Sequence, residues 1–172
     1  GLGIFGLKEY REEPSPQPKE KIRFHSFMEG VILEIGNFNE FLTYTPDKTA
    51  IFKEKIYLNQ IETLNQIPPF TYKEIINDVK RIDVIWFNNS GLLFPRKVFE
   101  VVDSLGTLSE ALNRCSQLLP FNLNFYIIAP EEYKNKFETK INKEPYLKFK
   151  KRFSFKNYEN VTKFYEEAVK YN

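Results

Sequence analysis

Two acids stand inside strongly apolar stretches. Asp83 lies in Ile82-Asp83-Val84-Ile85-Trp86-Phe87, and Glu100 in Lys97-Val98-Phe99-Glu100-Val101-Val102-Asp103-Ser104. A carboxylate buried among apolar neighbours is costly unless a metal, a hydrogen-bond donor or an opposite charge compensates it. If the two stretches are neighbouring strands in suitable register, Asp83 and Glu100 converge into a hard-oxygen site suited to Mg²⁺ or Mn²⁺. Such a site can orient water and neutralise charge at a scissile phosphate. Strand alternation groups Glu100 with Arg96, Val98, Val102 and Ser104 on one face. The competing reading is structural: the acids pair with Lys80, Arg81, Lys97 or Arg114, or sit at solvated strand ends.

The elements needed to hold these residues can be read from periodicity and turn signals. Phe24, Phe27, Met28, Val31, Ile32 and Ile35 recur at helical spacing, which predicts a first helix over 21–35 that stops at Gly36-Asn37. Short strands are expected at 41–44 and 50–52, and a helix at 56–67 ended by Pro68-Pro69. Residues 79–87 and 97–102 read as an antiparallel pair joined through Asn88-Asn89-Ser90-Gly91. A helix over 107–118 has Thr107 as its cap and Glu110 at the capping-box position. A strand at 124–129, a charged helix at 131–141, an alternating strand at 148–155 and a final helix at 158–171 complete the pattern. Strands alternating with helices of this length predict an α/β fold with three layers, a central mixed sheet flanked by helices.

Composition narrows the function classes. The 172 residues are 42% hydrophobic and 28% charged, the balance of one globular domain. No run of about eighteen apolar residues and no signal-peptide pattern is present, so no membrane partner is expected. A single cysteine, Cys115, fits a reducing, cytoplasmic setting, and one His with one Cys argues against a zinc site built on those ligands. The net charge of +2 does not by itself indicate nucleic acid. A local exception is Lys148, Lys150, Lys151, Arg152 and Lys156, interleaved with Phe149, Phe153 and Phe155, which could contact DNA phosphates or form a plain solvated face. Gly1-Leu2-Gly3-Ile4-Phe5-Gly6 matches the dinucleotide-binding spacing, but a proline-bearing linker follows where a helix is required. His25 reads as a surface or satisfied core histidine, Cys115 as packing, and Trp86 as core.

Taken together, Ile-Asp-Val-Ile-Trp-Phe, Val-Phe-Glu-Val-Val-Asp-Ser, Ala-Leu-Asn-Arg and Phe-Tyr-Ile-Ile-Ala resemble the PD-(D/E)xK restriction-endonuclease-like superfamily, over roughly residues 21–171. The resemblance implies a restriction-endonuclease-like core in a Mg²⁺- or Mn²⁺-dependent deoxyribonuclease from bacteria or archaea, acting on double-stranded DNA. By analogy with enzymes that cut both strands, it also implies a homodimer. Asp83 and Glu100 match the metal-binding acids, and Glu29 or Glu34 would be the first-helix acid. Val102 occupies the position of the catalytic lysine. Arg96, Arg114 or a bulged-in Asp103 could replace the missing charge. Failing that, the domain would be a catalytically degraded relative that binds DNA or protein. Residues 3–10 look like the last wing strand of an upstream winged-helix module. This places a module tail and linker at 1–20 and the nuclease-like domain at 21–172.

Overall fold

The computed structural model describes residues 23–172, and the expected wing strand and linker lie outside them. In chain order the elements are α1 (Phe24–Phe38), β1 (Leu42–Tyr44), β2 (Ile51–Lys53), β3 (Ile56–Tyr57), α2 (Lys73–Val79), β4 (Val84–Phe87) and β5 (Pro95–Val101). They are followed by α3 (Leu108–Ser116), β6 (Asn124–Ala129), α4 (Lys134–Ile141), β7 (Phe153–Asn157) and α5 (Tyr158–Tyr171). Five strands form a mixed sheet in the order β1-β4-β5-β6-β7, antiparallel from β1 to β5 and parallel from β5 to β7, while β2 and β3 form a separate hairpin. The expected α/β core is therefore present. No helix among the described residues is long and apolar enough to cross a membrane.

Strand alternation splits the core into two layers. Ile85, Phe87, Val98 and Val102 pack with Leu108, Leu112 and Phe137 of α3 and α4. Val84, Trp86, Phe99 and Val101 pack with Met28 and Ile32 of α1, Phe52 of β2 and Tyr165 of α5. The sheet thus holds α1 and α5 on one face and α3 and α4 on the other. Asp83, just before β4, opens at the sheet end where α1 begins.

Several boundaries differ from expectation for identifiable reasons. The first helix runs past Gly36 to Phe38, and Asn39 closes it by donating from its side chain to the Ile35 carbonyl at 2.8 Å. Gly36 serves close approach instead of termination, since a Cβ there would lie 2.6 Å from Trp86 Nε1. The helix expected at 56–67 is absent. Beyond β3 and a 3₁₀ turn at Leu58–Gln60, the chain is laced to β1, with the Thr63 and Leu64 amides donating to the Thr43 carbonyl at 3.1 and 2.9 Å. The strand expected at 79–87 starts only at Val84, because Val79 ends α2 and Ile82 N–H closes a turn on the Val79 carbonyl. Thr107 does not cap α3 with its side chain; its hydroxyl donates to the Ser104 carbonyl at 2.9 Å. The strand expected at 148–155 is a 3₁₀ segment, Leu147–Arg152, followed by β7.

Candidate metal centre

The first two turns of α1 place His25 and Glu29 one helical turn apart, so both side chains leave the same face toward the start of β4. Asp83 meets them there. His25, Glu29 and Asp83 each offer a ligand atom, and all three atoms lie within 4.8 Å of one another. His25 Nε2 is 3.5 Å from Asp83 Oδ1 and 3.8 Å from Glu29 Oε1. On the opposite side of the ring, Nδ1 lies 2.8 Å from Asp103 Oδ2. Asp103 is itself held, since the Tyr158 hydroxyl donates to Oδ1 at 3.1 Å and the Tyr133 hydroxyl to its backbone carbonyl at 3.3 Å. A carboxylate behind one imidazole nitrogen fixes the ring so that the other faces the ligand position, the arrangement that commonly supports metal-bound histidine. Asp83 is fixed too, because its Oδ2 accepts the Val101 amide at 2.8 Å.

Electrostatics within the cluster are strained in a way a cation would relieve. Glu29 is 1% exposed, and among the described residues its Oε2 has no hydrogen-bond partner. Burial, followed by the negative charge of Asp83, pushes its carboxyl up to about 9. Burial alone would lower His25, but the hydrogen bond and charge of Asp83, with the charges of Glu29 and Asp103, raise it to about 10. The imidazolium and the Glu29 proton therefore carry the compensating positive charge in the metal-free protein. Two carboxylates, one orphaned buried oxygen and a directed imidazole fit a divalent cation. The nitrogen donor favours Mn²⁺ over Mg²⁺.

Glu100 lies beside this cluster but is engaged elsewhere. It is completely buried and receives Arg114 Nε and Nη2 on its two oxygens, both at 2.7 Å. Burial pushes its carboxyl well up while the guanidinium pulls it down. The two-pronged geometry is that of an ionised carboxylate–guanidinium pair. The strand face shared by Val98, Glu100 and Val102 points toward α3, so Val102 is 1% exposed in that core.

The other candidate residues are dispersed. Glu34, about two and a half turns beyond His25 and so on the opposite face of α1, pairs with Lys53 at 3.9 Å and accepts the Tyr165 hydroxyl. Arg96 is exposed at the opposite end of β5, lining a depression with Asn88, Asn89 and Phe94. Lys148, Lys150 and Lys151 are exposed on the 3₁₀ segment. Arg152 turns inward and donates to the carbonyls of Leu123, Leu119 and Phe121 at 2.8, 2.8 and 2.5 Å. Sequence reasoning passed over His25 as a ligand. The available signal was His25 and Glu29 at i and i+4, which puts an imidazole and a carboxylate on one helical face.

The site sits in a restriction-enzyme-related α/β domain. The family described as the type II restriction enzyme NmeDI C-terminal domain matches residues 8–171. The chain belongs to that family. No curated protein and no solved structure matches it significantly.

Proposed function

We propose that this domain is a metal-dependent, restriction-type DNA endonuclease whose divalent cation is held by His25, Glu29 and Asp83. The carrying observation is the convergence of these side chains around a Glu29 oxygen that has no partner among the described residues. Mg²⁺ or Mn²⁺ at this position would supply charge neutralisation at a phosphodiester and a more acidic water. The chain's own residues supply the rest. Asp103 accepts the His25 Nδ1 proton and directs Nε2 toward the two carboxylates. Tyr158 and Tyr133 hold Asp103 in place. The Val101 amide fixes Asp83, and Arg114 neutralises Glu100 behind it, so the strand end stays folded beside concentrated negative charge. DNA is the substrate class supported by family membership. Membership of the wider PD-(D/E)xK superfamily is part of this proposal, with Glu29 as the first-helix acid and Glu100 as a positioning acid.

A second reading has its own support. Val102 is buried where the superfamily lysine would stand, and Glu100 is sealed by Arg114, which favours a DNA-binding domain without catalysis. Plasmid cleavage separates the two. The nuclease reading expects supercoiled DNA to be nicked or linearised with Mn²⁺ or Mg²⁺, and Asp83→Asn and Glu29→Gln to abolish it while leaving the fold intact. DNA binding without any metal-dependent cleavage would establish the second reading.

A further inference from the structure

We infer that the groove between α1, α5 and the sheet receives one unstacked nucleotide of the DNA, an inference that rests on the proposed DNA reading. The groove has a volume of about 390 Å³, within the range of sites for small organic groups. Its floor is an aromatic ladder across three strands. Trp86 and Phe99 have ring centroids 4.5 Å apart, and Phe99 stacks on Tyr126 at 4.9 Å with the planes 15° apart. Phe164 of α5, 54% exposed, stands on the facing wall. Trp86 and Phe99 are buried with their faces turned to neighbouring rings, so they bound the groove with their edges, and the exposed ring of Phe164 is the face on which a planar base can stack.

The charged groups in the lining are two lysines, alongside the neutral amides of Asn39 and Asn160. Lys97 Nζ is held 5.4–5.9 Å from the ring centroids of Trp86, Phe41 and Tyr126, and Lys156 lines the same groove. Among the described residues no carboxylate lines it and neither lysine has an acidic partner within 4.0 Å. A partly buried ammonium without a counter-charge beside a stacking surface complements a group that is aromatic and anionic at once, and a nucleotide is both. Bases stack readily on aromatic side chains irrespective of sequence, and the backbone phosphate suits lysine. The groove is also in reach of the cluster. Its α1 wall, Ile32 and Ile35, lies about 5–9 Å along the helix axis from Glu29, so a nucleotide near the scissile phosphate could enter it.

The test compares two DNA duplexes, without metal, against the 172-residue chain: one fully paired, the other carrying a single unpaired 2-aminopurine. An unpaired base has less stacking to lose, so it should bind about fivefold or more tightly, with aminopurine emission quenched on binding. Phe164→Ala and Lys156→Gln, both at exposed positions, and Lys97→Gln should remove the preference while paired duplex still binds. Asp83→Asn should keep it. Equal affinity for the two duplexes, or a preference untouched by Phe164→Ala and Lys97→Gln, overturns the inference alone. Failure to bind either duplex overturns the DNA reading on which it rests.

Discussion

Replacing Arg114 by Met keeps the aliphatic stem but strips the completely buried Glu100 of both guanidinium hydrogen bonds and of its only paired cation among the described residues. Removing one partner of a buried ion pair costs about 3–5 kcal/mol, because the other charge is left uncompensated. For a domain of this size that corresponds to a fall in Tm of about 6–20 °C. Urea unfolding followed through Trp86, the chain's single tryptophan and buried in the sheet, reads the change directly. Glu100 has an escape, since it can take up a proton. Its raised folded-state pKa means that the variant regains stability as pH falls and loses it as pH rises. Adding Glu100→Gln to Arg114→Met removes the stranded charge and should recover roughly 1–3 kcal/mol. A loss below about 1 kcal/mol in the single variant, as for an exposed pair, would refute the assignment of this pair as a buried structural anchor. So would a double variant no more stable than the single one.

Other consequences can be checked alongside. Gly30→Ala places a Cβ 2.1 Å from the Phe52 ring, which is fully buried, so calorimetric melting should show a loss of about 1–3 kcal/mol despite the better helix propensity of alanine. Arg152→Met abandons three backbone carbonyls and should cost at least about 1.5–3 kcal/mol in urea melts. Lys150→Gln and Lys151→Gln should leave stability unchanged and, if these side chains meet phosphates, reduce the salt slope of DNA binding by about 0.9 per contact. His25 and Glu29 both have raised folded-state values, so each favours the fold most at low pH. His25's contribution fades from about 6.5 to about 10, and Glu29 increasingly opposes folding from about 4.5 to about 9. The metal-free protein should therefore lose stability as pH rises through this range, measured by denaturant melts, and saturating Mn²⁺ should offset the loss.

The layered α/β core was legible because its strands and helices carry clean apolar periods: β5, β6, α3 and α5 all lie close to where periodicity puts them. The misplaced boundaries share a physical origin. Residues 56–67 and 148–155 carry apolar side chains at regular intervals, but distant hydrogen bonds fix them otherwise: the Thr63 and Leu64 amides bond to β1, and the Arg152 side chain anchors the 119–123 turn. Periodicity cannot register such long-range hydrogen bonds. At the site, Asp83 and Glu29 were both singled out from sequence and do meet. The Glu100–Arg114 pair is one of the structural pairings the sequence offers, whereas the surroundings of Glu34 and His25 depended on facts invisible in one dimension. Strand phase turns Glu100 toward Arg114, helical phase carries Glu34 to Lys53, and Asp103 arrives from beyond β5 to orient the imidazole.

The central claim is that His25, Glu29 and Asp83 form a divalent-metal centre, and calorimetric titration of Mn²⁺ tests it without knowledge of the DNA target. Saturable heat at one site per chain is expected, lost in Asp83→Asn and strongly weakened in Glu29→Gln. The apparent affinity should rise by up to about tenfold per pH unit for each proton displaced from His25 and Glu29. Absence of saturable heat in the parent at about pH 8, or equal binding in the parent and Asp83→Asn, would contradict the account.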